Sequence, residues 1–182
     1  MIRFSSFKRD EKGAAAVEFA LVSFMLIITI VFVMFVALIV YFNQALDFAT
    51  QKAARQIMTG YVQKNNIDHT TFRTTVLCPF LPAALSCGNV IINVQTVAQA
   101  SQPSGYYALV NSSATGLIIP QLVVDQNSYS IGVQQSYEYV QVIYPLTFLP
   151  GFLMNLVGSG AQYNGSSAFL LVSTAAFRNE QY

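Results

Sequence analysis

The chain has 182 residues, 54% hydrophobic and only 9% charged, with a formal net charge of +1. Ordinary soluble domains carry about 25% charged residues. The deficit therefore argues against a freely solvated domain, and basic residues that do not cluster beyond the N-terminal segment leave no footprint for nucleic acid. The length suits one membrane segment and one small domain.

In chain order, Arg3, Lys8, Arg9 and Lys12 lead into Gly13-Ala14-Ala15-Ala16-Val17-Glu18. An unbroken apolar run from Phe19 to Phe42 follows, and after Glu18 there is no charge until Asp47. A hydrocarbon core of about 30 Å is crossed by roughly 20 helical residues, so the run is long enough to span it with some tilt. A soluble core helix of that length would show a polar face, but only Ser23 and Thr29 interrupt this one. Counting Lys and Arg near the two ends places the N-terminus in the cytoplasm and the rest outside. The small residues precede the apolar run rather than follow it, unlike a secretory signal, so a cut there removes a polar leader and keeps the anchor. From Asn43 the pattern continues with Ala45, Leu46, Ala49, Ala53, Ile57 and Met58 at helical spacing, and Gly60 is the stop. One helix from about Ala14 to Thr59 is expected.

The pattern Lys12-Gly13-Ala14-Ala15-Ala16-Val17-Glu18-Phe19-Ala20-Leu21-Val22 resembles the N-terminal signature of TadE-like proteins. These are minor pilin-like components of bacterial tight-adherence (Flp-type) pilus systems. At the other end, Phe177-Arg178-Asn179-Glu180-Gln181-Tyr182 is similar to the Arg-Asn-Glu-Pro-aromatic ending common in that family, with Gln181 where proline is usual. The resemblance implies a prepilin peptidase cut between Gly13 and Ala14, in the bacterial inner membrane, with other pilin-like and assembly proteins as partners. Cleavage frees a cationic amine on Ala14 close to Glu18, and an ionisable group at the edge of a membrane segment usually pairs. Glu18 and Phe19 then serve assembly, with Glu18 aligning subunits through that amine. The plainer reading makes Glu18 a first-turn acid that offsets the helix dipole, and Gly13 a flexible boundary.

Beyond the anchor, Asp68 or Thr70 is placed to cap a helix over Thr71 to Leu77. Cys78 and Cys87, the only cysteines, suggest a disulfide once the C-terminal part lies outside the membrane. Two buried free thiols are the alternative, and the lone His69 gives a metal site too little support. Val90 to Val97, Tyr137 to Tyr144 and Ala168 to Phe177 read as strands. Pro145 and Pro150 make Leu146 to Val157 a loop with a short amphipathic helix. Tyr106, Tyr107, Tyr137, Tyr139 and Tyr144 offer a binding platform or, more simply, sheet packing. Asn111-Ser112-Ser113 and Asn164-Gly165-Ser166 match a glycosylation pattern but read as loops.

No phosphate loop, His-Glu-x-x-His pair or Cys-x-x-Cys is present, so neither an enzyme nor a cofactor is expected. The expectation is an α+β protein: a leader over residues 1–13, a membrane and stalk helix over 14–60, and a head over 61–182 holding a small antiparallel sheet packed on the helix. A single-pass envelope receptor that never enters a filament is the competing reading.

Overall fold

The computed structural model describes residues 11–97, 119–149 and 161–182. Arg3, Lys8 and Arg9 of the leader, Tyr106, Tyr107, the Asn111 triplet and the part of the 146–157 stretch from residue 150 lie outside them.

The long helix, α1, runs over Glu11–Met58. It takes in the expected Ala14 to Thr59 span almost whole. The chain divides into two compact units, Met1–Tyr41 and Phe42–Tyr182. In the first, α1 from Phe19 onward is apolar on every side, and side chains such as Phe19, Leu26 and Val33 are 74%, 58% and 58% exposed. Its two hydroxyls are satisfied locally, Ser23 donating to the Ala20 carbonyl at 3.1 Å and Thr29 to that of Met25 at 2.9 Å. Such back-bonding lets a hydroxyl sit in an apolar medium without stranding a donor.

In the second unit α1 becomes one-sided. Phe42, Leu46, Ala49, Ala53, Ala54 and Ile57 are buried, while Asp47, Lys52 and Arg55 face out. Thr50 sits inside the buried stripe and donates its hydroxyl to the Leu46 carbonyl at 2.8 Å. Gly60 ends the helix as expected. Its φ of 76° is left-handed, its N–H donates to the Ile57 carbonyl, and a Cβ there would strike the Tyr182 ring. Two short helices follow, α2 over Tyr61–Lys64 and α3 over His69–Thr71, the latter continuing into a π-helical segment, Phe72–Leu77. Asp68 holds the N-cap position of α3, though without a side-chain capping bond.

Among the described residues the unit also has five strands: β1 (Ile91–Val97), β2 (Tyr137–Leu146), β3 (Gln162–Tyr163), β4 (Ser166–Ser167) and β5 (Phe169–Arg178). β1, β2 and β5 form an antiparallel sheet in that order, in the register Ile91↔Ile143 and Ile143↔Val172. One face, with Ile91 and Ile143, packs with Tyr163, Ala168, Leu122 and Val124. Alternate residues Ile92, Val94, Val140 and Val142 are buried on the other face, so the strands are buried on both sides. Ring contacts Phe42–Phe148 and Phe48–Phe80, at 6.0 and 6.3 Å between centroids, tie α1 to the head.

The expected strands are present, but Pro145 and Leu146 belong to β2 rather than to a loop. β1 reaches only as far as Ile143, so at Pro145 the central strand has become an edge and the missing N–H costs no ladder bond. Asn164 and Gly165, with φ of 49° and 76°, make the two-residue turn between β3 and β4. Both central residues are left-handed, the geometry whose twist suits a hairpin and favours Asn-Gly.

Candidate functional site

At the N-terminal end, Gly13 lies in the early part of α1, and a Cβ built on it meets nothing within 4 Å. No positive φ is recorded there. Nothing in the fold therefore calls for glycine, which in a helix interior costs roughly 0.5–1 kcal/mol relative to alanine. Ala14 follows within the same helix. Glu18 is exposed, one turn further on, and Phe19 beside it is exposed as well. The stretch Ala15–Met58 is the one helix among the described residues long and apolar enough to cross a membrane.

The C-terminal motif is drawn into the head. Arg178 donates from Nε to the Gln135 carbonyl at 3.1 Å and lies 5.6 Å from the Tyr137 ring centre. Asn179 is 2% exposed and spends its Nδ2 on Ser136 Oγ at 3.1 Å, the Val133 carbonyl at 3.2 Å and Glu138 Oε1 at 3.3 Å. Glu180 has an exposed side chain, but its backbone N–H donates to the Met58 carbonyl at 2.8 Å. That bond supplies a partner for one of the orphan carbonyls at the end of α1. Tyr182 then lies over Gly60, and Gln134 Nε2 donates to its carbonyl oxygen. Arg178, Asn179 and Glu180 thus work as a strap between strand β5 and the end of α1.

Cys78 and Cys87 are joined in a disulfide with their Cα atoms 5.7 Å apart, and no free cysteine remains. Beside it lies an ion pair that the sequence does not announce. Arg73 grips Asp125 with two bonds, Nε to Oδ1 at 3.0 Å and a terminal nitrogen to Oδ2 at 2.7 Å, and gives its other terminal nitrogen to the Cys87 carbonyl at 3.0 Å. The Arg73 guanidinium holds the Asp125 carboxyl below the usual carboxylate range. Asp125 has φ of 58°, a left-handed conformation that aspartate tolerates better than most residues. One arginine therefore joins the π-helical segment, the disulfide loop and the strand-free segment before Tyr129.

His69 stacks on Tyr129 with ring centres 4.9 Å apart, and no group of three metal-ligating side chains occurs among the described residues. The sheet tyrosines divide. Tyr139 and Tyr144 are each 6% exposed and belong to the packing, with the Ser86 N–H donating to the Tyr144 hydroxyl at 3.0 Å. Tyr137 is partly exposed beneath Arg178. A further polar centre is Glu138, 1% exposed on the central strand. Its spacing in an otherwise alternating strand gives no hint of the loop and tail that surround it.

A family model described as TadE-like protein matches residues 13–55, a stretch that lies wholly within α1. No curated protein and no solved structure matches the chain. The chain thus carries a TadE-like segment at its apolar helix, followed by a small antiparallel sheet domain.

Proposed function

We propose that this protein is a pilin-like assembly component of a tight-adherence (Flp-type) pilus. In this reading it is anchored in the bacterial inner membrane with its N-terminus cytoplasmic and its head outside. A prepilin peptidase removes the leader after Gly13. The freed Ala14 amine is met by Glu18 of its own or a neighbouring subunit, which sets the axial register of the helices. The apolar half of α1 serves first as membrane anchor and then as packing surface, and the head presents the sheet domain to partners. Helical assemblies grow through heterologous contacts that do not close, which suits a long apolar stalk.

The observation that carries this reading is the TadE-like match over residues 13–55, which covers Gly13, Glu18 and the exposed apolar run together. Two details support its finer parts. Gly13 is in open space with no conformational need for glycine, so its presence is explained by access for a protease rather than by the fold. From Gly13 to Leu46 Glu18 is the lone acid, at the edge of the apolar run, and a charge in that setting needs a partner.

The test is the N-terminal sequence of the protein purified from membranes of a host that has the peptidase. The proposal predicts a chain beginning Ala14-Ala15-Ala16. A chain that keeps residue Met1 leaves a permanent anchor in its place.

A further inference from the structure

Glu138 and Asn179 are 41 positions apart in sequence and meet at one end of the sheet. Glu138 lies on β2 between Thr96 of β1 and Phe177 of β5. Its Oε1 is crowded with donors: the Gly132 N–H at 2.5 Å, Ser136 Oγ at 3.0 Å, Asn179 Nδ2 at 3.3 Å and Thr96 Oγ1 at 3.5 Å. Its Oε2 is buried and has no partner, and the same is true of Asn179 Oδ1. As a carboxylate and an amide, both orphans are acceptors and neither can satisfy the other. Leaving two such atoms dry forfeits their hydration with nothing in return, and native interiors rarely do so.

One proton resolves both vacancies. A carboxylic acid presents an acceptor and a donor side by side, and so does a primary amide, so the two close into a cyclic pair. The Nδ2–H···Oε1 half is in place at 3.3 Å, and a proton on Oε2 would give the carboxyl the donor that Asn179 Oδ1 lacks. Among the described residues no cation forms an ion pair with the carboxyl. The groups that face it are Thr96 from β1, Gly132 and Ser136 from the preceding loop, Phe177 from β5 and Asn179 from the tail. Gln63 of α2 reaches the Gly132 carbonyl at 3.4 Å, and the nearest arginine in sequence, Arg178, is engaged with Gln135 and Tyr137. We propose that Glu138 is protonated in the folded protein and, paired with Asn179, forms a proton-dependent latch that holds the C-terminal strap against the end of α1.

Burial pushes the Glu138 carboxyl above the usual glutamate range, against the opposing pull of its hydrogen-bond donors. What the latch holds is explicit. The Asn179 N–H donates to the Ser136 carbonyl at 2.9 Å, its carbonyl accepts from Gln135 N–H at 3.2 Å, and the next residue reaches Met58. Because the folded acid holds its proton more tightly than the unfolded one, the stabilisation is complete below the ordinary glutamate value of about 4.3 and is lost as pH rises through the higher folded value.

The test uses the full chain in detergent micelles. Infrared spectra of wild type and Glu138→Gln are compared at a pH where an ordinary glutamate is ionised, together with melting temperatures across the pH range. Glutamine keeps the acceptor and donor of the protonated acid, so it stands in for the closed latch. Wild type should show a protonated-carboxyl band that Glu138→Gln lacks, and its melting temperature should fall relative to the variant as pH rises. Asn179→Ala should keep the band but move it toward the frequency of an unpaired acid. Absence of the band in wild type, parallel pH profiles for the two proteins, or an unmoved band in Asn179→Ala would each overturn the latch. If Glu138→Gln does not accumulate, titration of the wild-type band alone decides, since loss of the band within the ordinary glutamate range contradicts the proposal. None of these readouts depends on pilus assembly.

Discussion

The two halves of α1 share one backbone and answer to different surroundings. From Phe19 to Tyr41 the helix is apolar all round and most of its side chains are exposed; from Phe42 it keeps an apolar stripe that is buried and a polar side that is not. Helical propensity does not distinguish them, since both are rich in good or tolerable helix formers. The difference lies in what each half must be dissolved in. A stripe one-third of the way round is enough to seat a helix on a domain, whereas an uninterrupted apolar cylinder has no place in water and needs lipid or other helices.

Truncations in the two halves should break the comparison most sharply. Leu46, fully buried, should cost about 2–5 kcal/mol as Leu46→Ala through lost transfer energy and an unfilled cavity. Leu26→Ala, at a position 58% exposed, should leave head stability within about 0.5 kcal/mol. Thermal unfolding in micelles, read from near-ultraviolet dichroism of the tyrosine-rich head, measures both. Equal losses would mean that the exposed half is part of the folded core.

Next in size is the disulfide. Its half-cystines are 9 apart, and closing so short a loop contributes about 2–3 kcal/mol in the chain-entropy account. Cys78→Ala with Cys87→Ala should lower the melting temperature of the head and leave membrane insertion unchanged. Alkylation of wild-type protein without reductant should find no free thiol.

The Arg73–Asp125 pair is a smaller and pH-dependent contribution. The folded Asp125 carboxyl titrates below its unfolded value, so its stabilisation is present above about pH 3.9 and is lost as pH falls through the folded value. Asp125→Asn should therefore cost about 1–3 kcal/mol at neutral pH, because it leaves Arg73 partly buried without its counter-charge. The cost should shrink toward zero in acid. Glu138 acts in the opposite direction, so the two acids bend the stability profile from opposite ends.

The smallest expected change in stability accompanies the largest change in processing. Gly13→Ala should stabilise the helix by roughly 0.5–1 kcal/mol while leaving the leader attached. A leader-sized shift on an immunoblot between wild type and variant is the readout, and identical mobility with the same N-terminus would remove the processing step from the account.

Much of the fold was legible because its signals are local. Sustained hydropathy marks α1, Gly60 marks its end, and alternation marks the three sheet strands. Pro145 was misread because its tolerance depends on where a neighbouring strand stops, a fact about register between β1 and β2. Asn164-Gly165 carried a hairpin signal that the competing sequon pattern obscured. The polar centres are the least legible. Arg73 and Asp125 are separated by 52 positions, and Glu138 meets Asn179 across 41. No single-sequence period reports such pairings. The clue available beforehand was scarcity: between Arg73 and Arg178 the acids are Asp125 and Glu138 alone, and acids so rare in an apolar head need specific partners.

Glu18 decides the central claim. Glu18→Gln preserves size and hydrogen-bonding capacity and removes the charge that would meet the Ala14 amine. As a first-turn acid its loss should cost at most about 1 kcal/mol; as half of a desolvated ion pair it should cost roughly 3–5 kcal/mol by stranding the amine. The measurement is cross-linking from membranes to pilus subunits in wild-type and Glu18→Gln cells, alongside a count of surface fibres. The account predicts a variant that is inserted and cleaved at Ala14 yet fails to associate. Association and fibre numbers equal to wild type would contradict it and leave α1 as a plain membrane anchor.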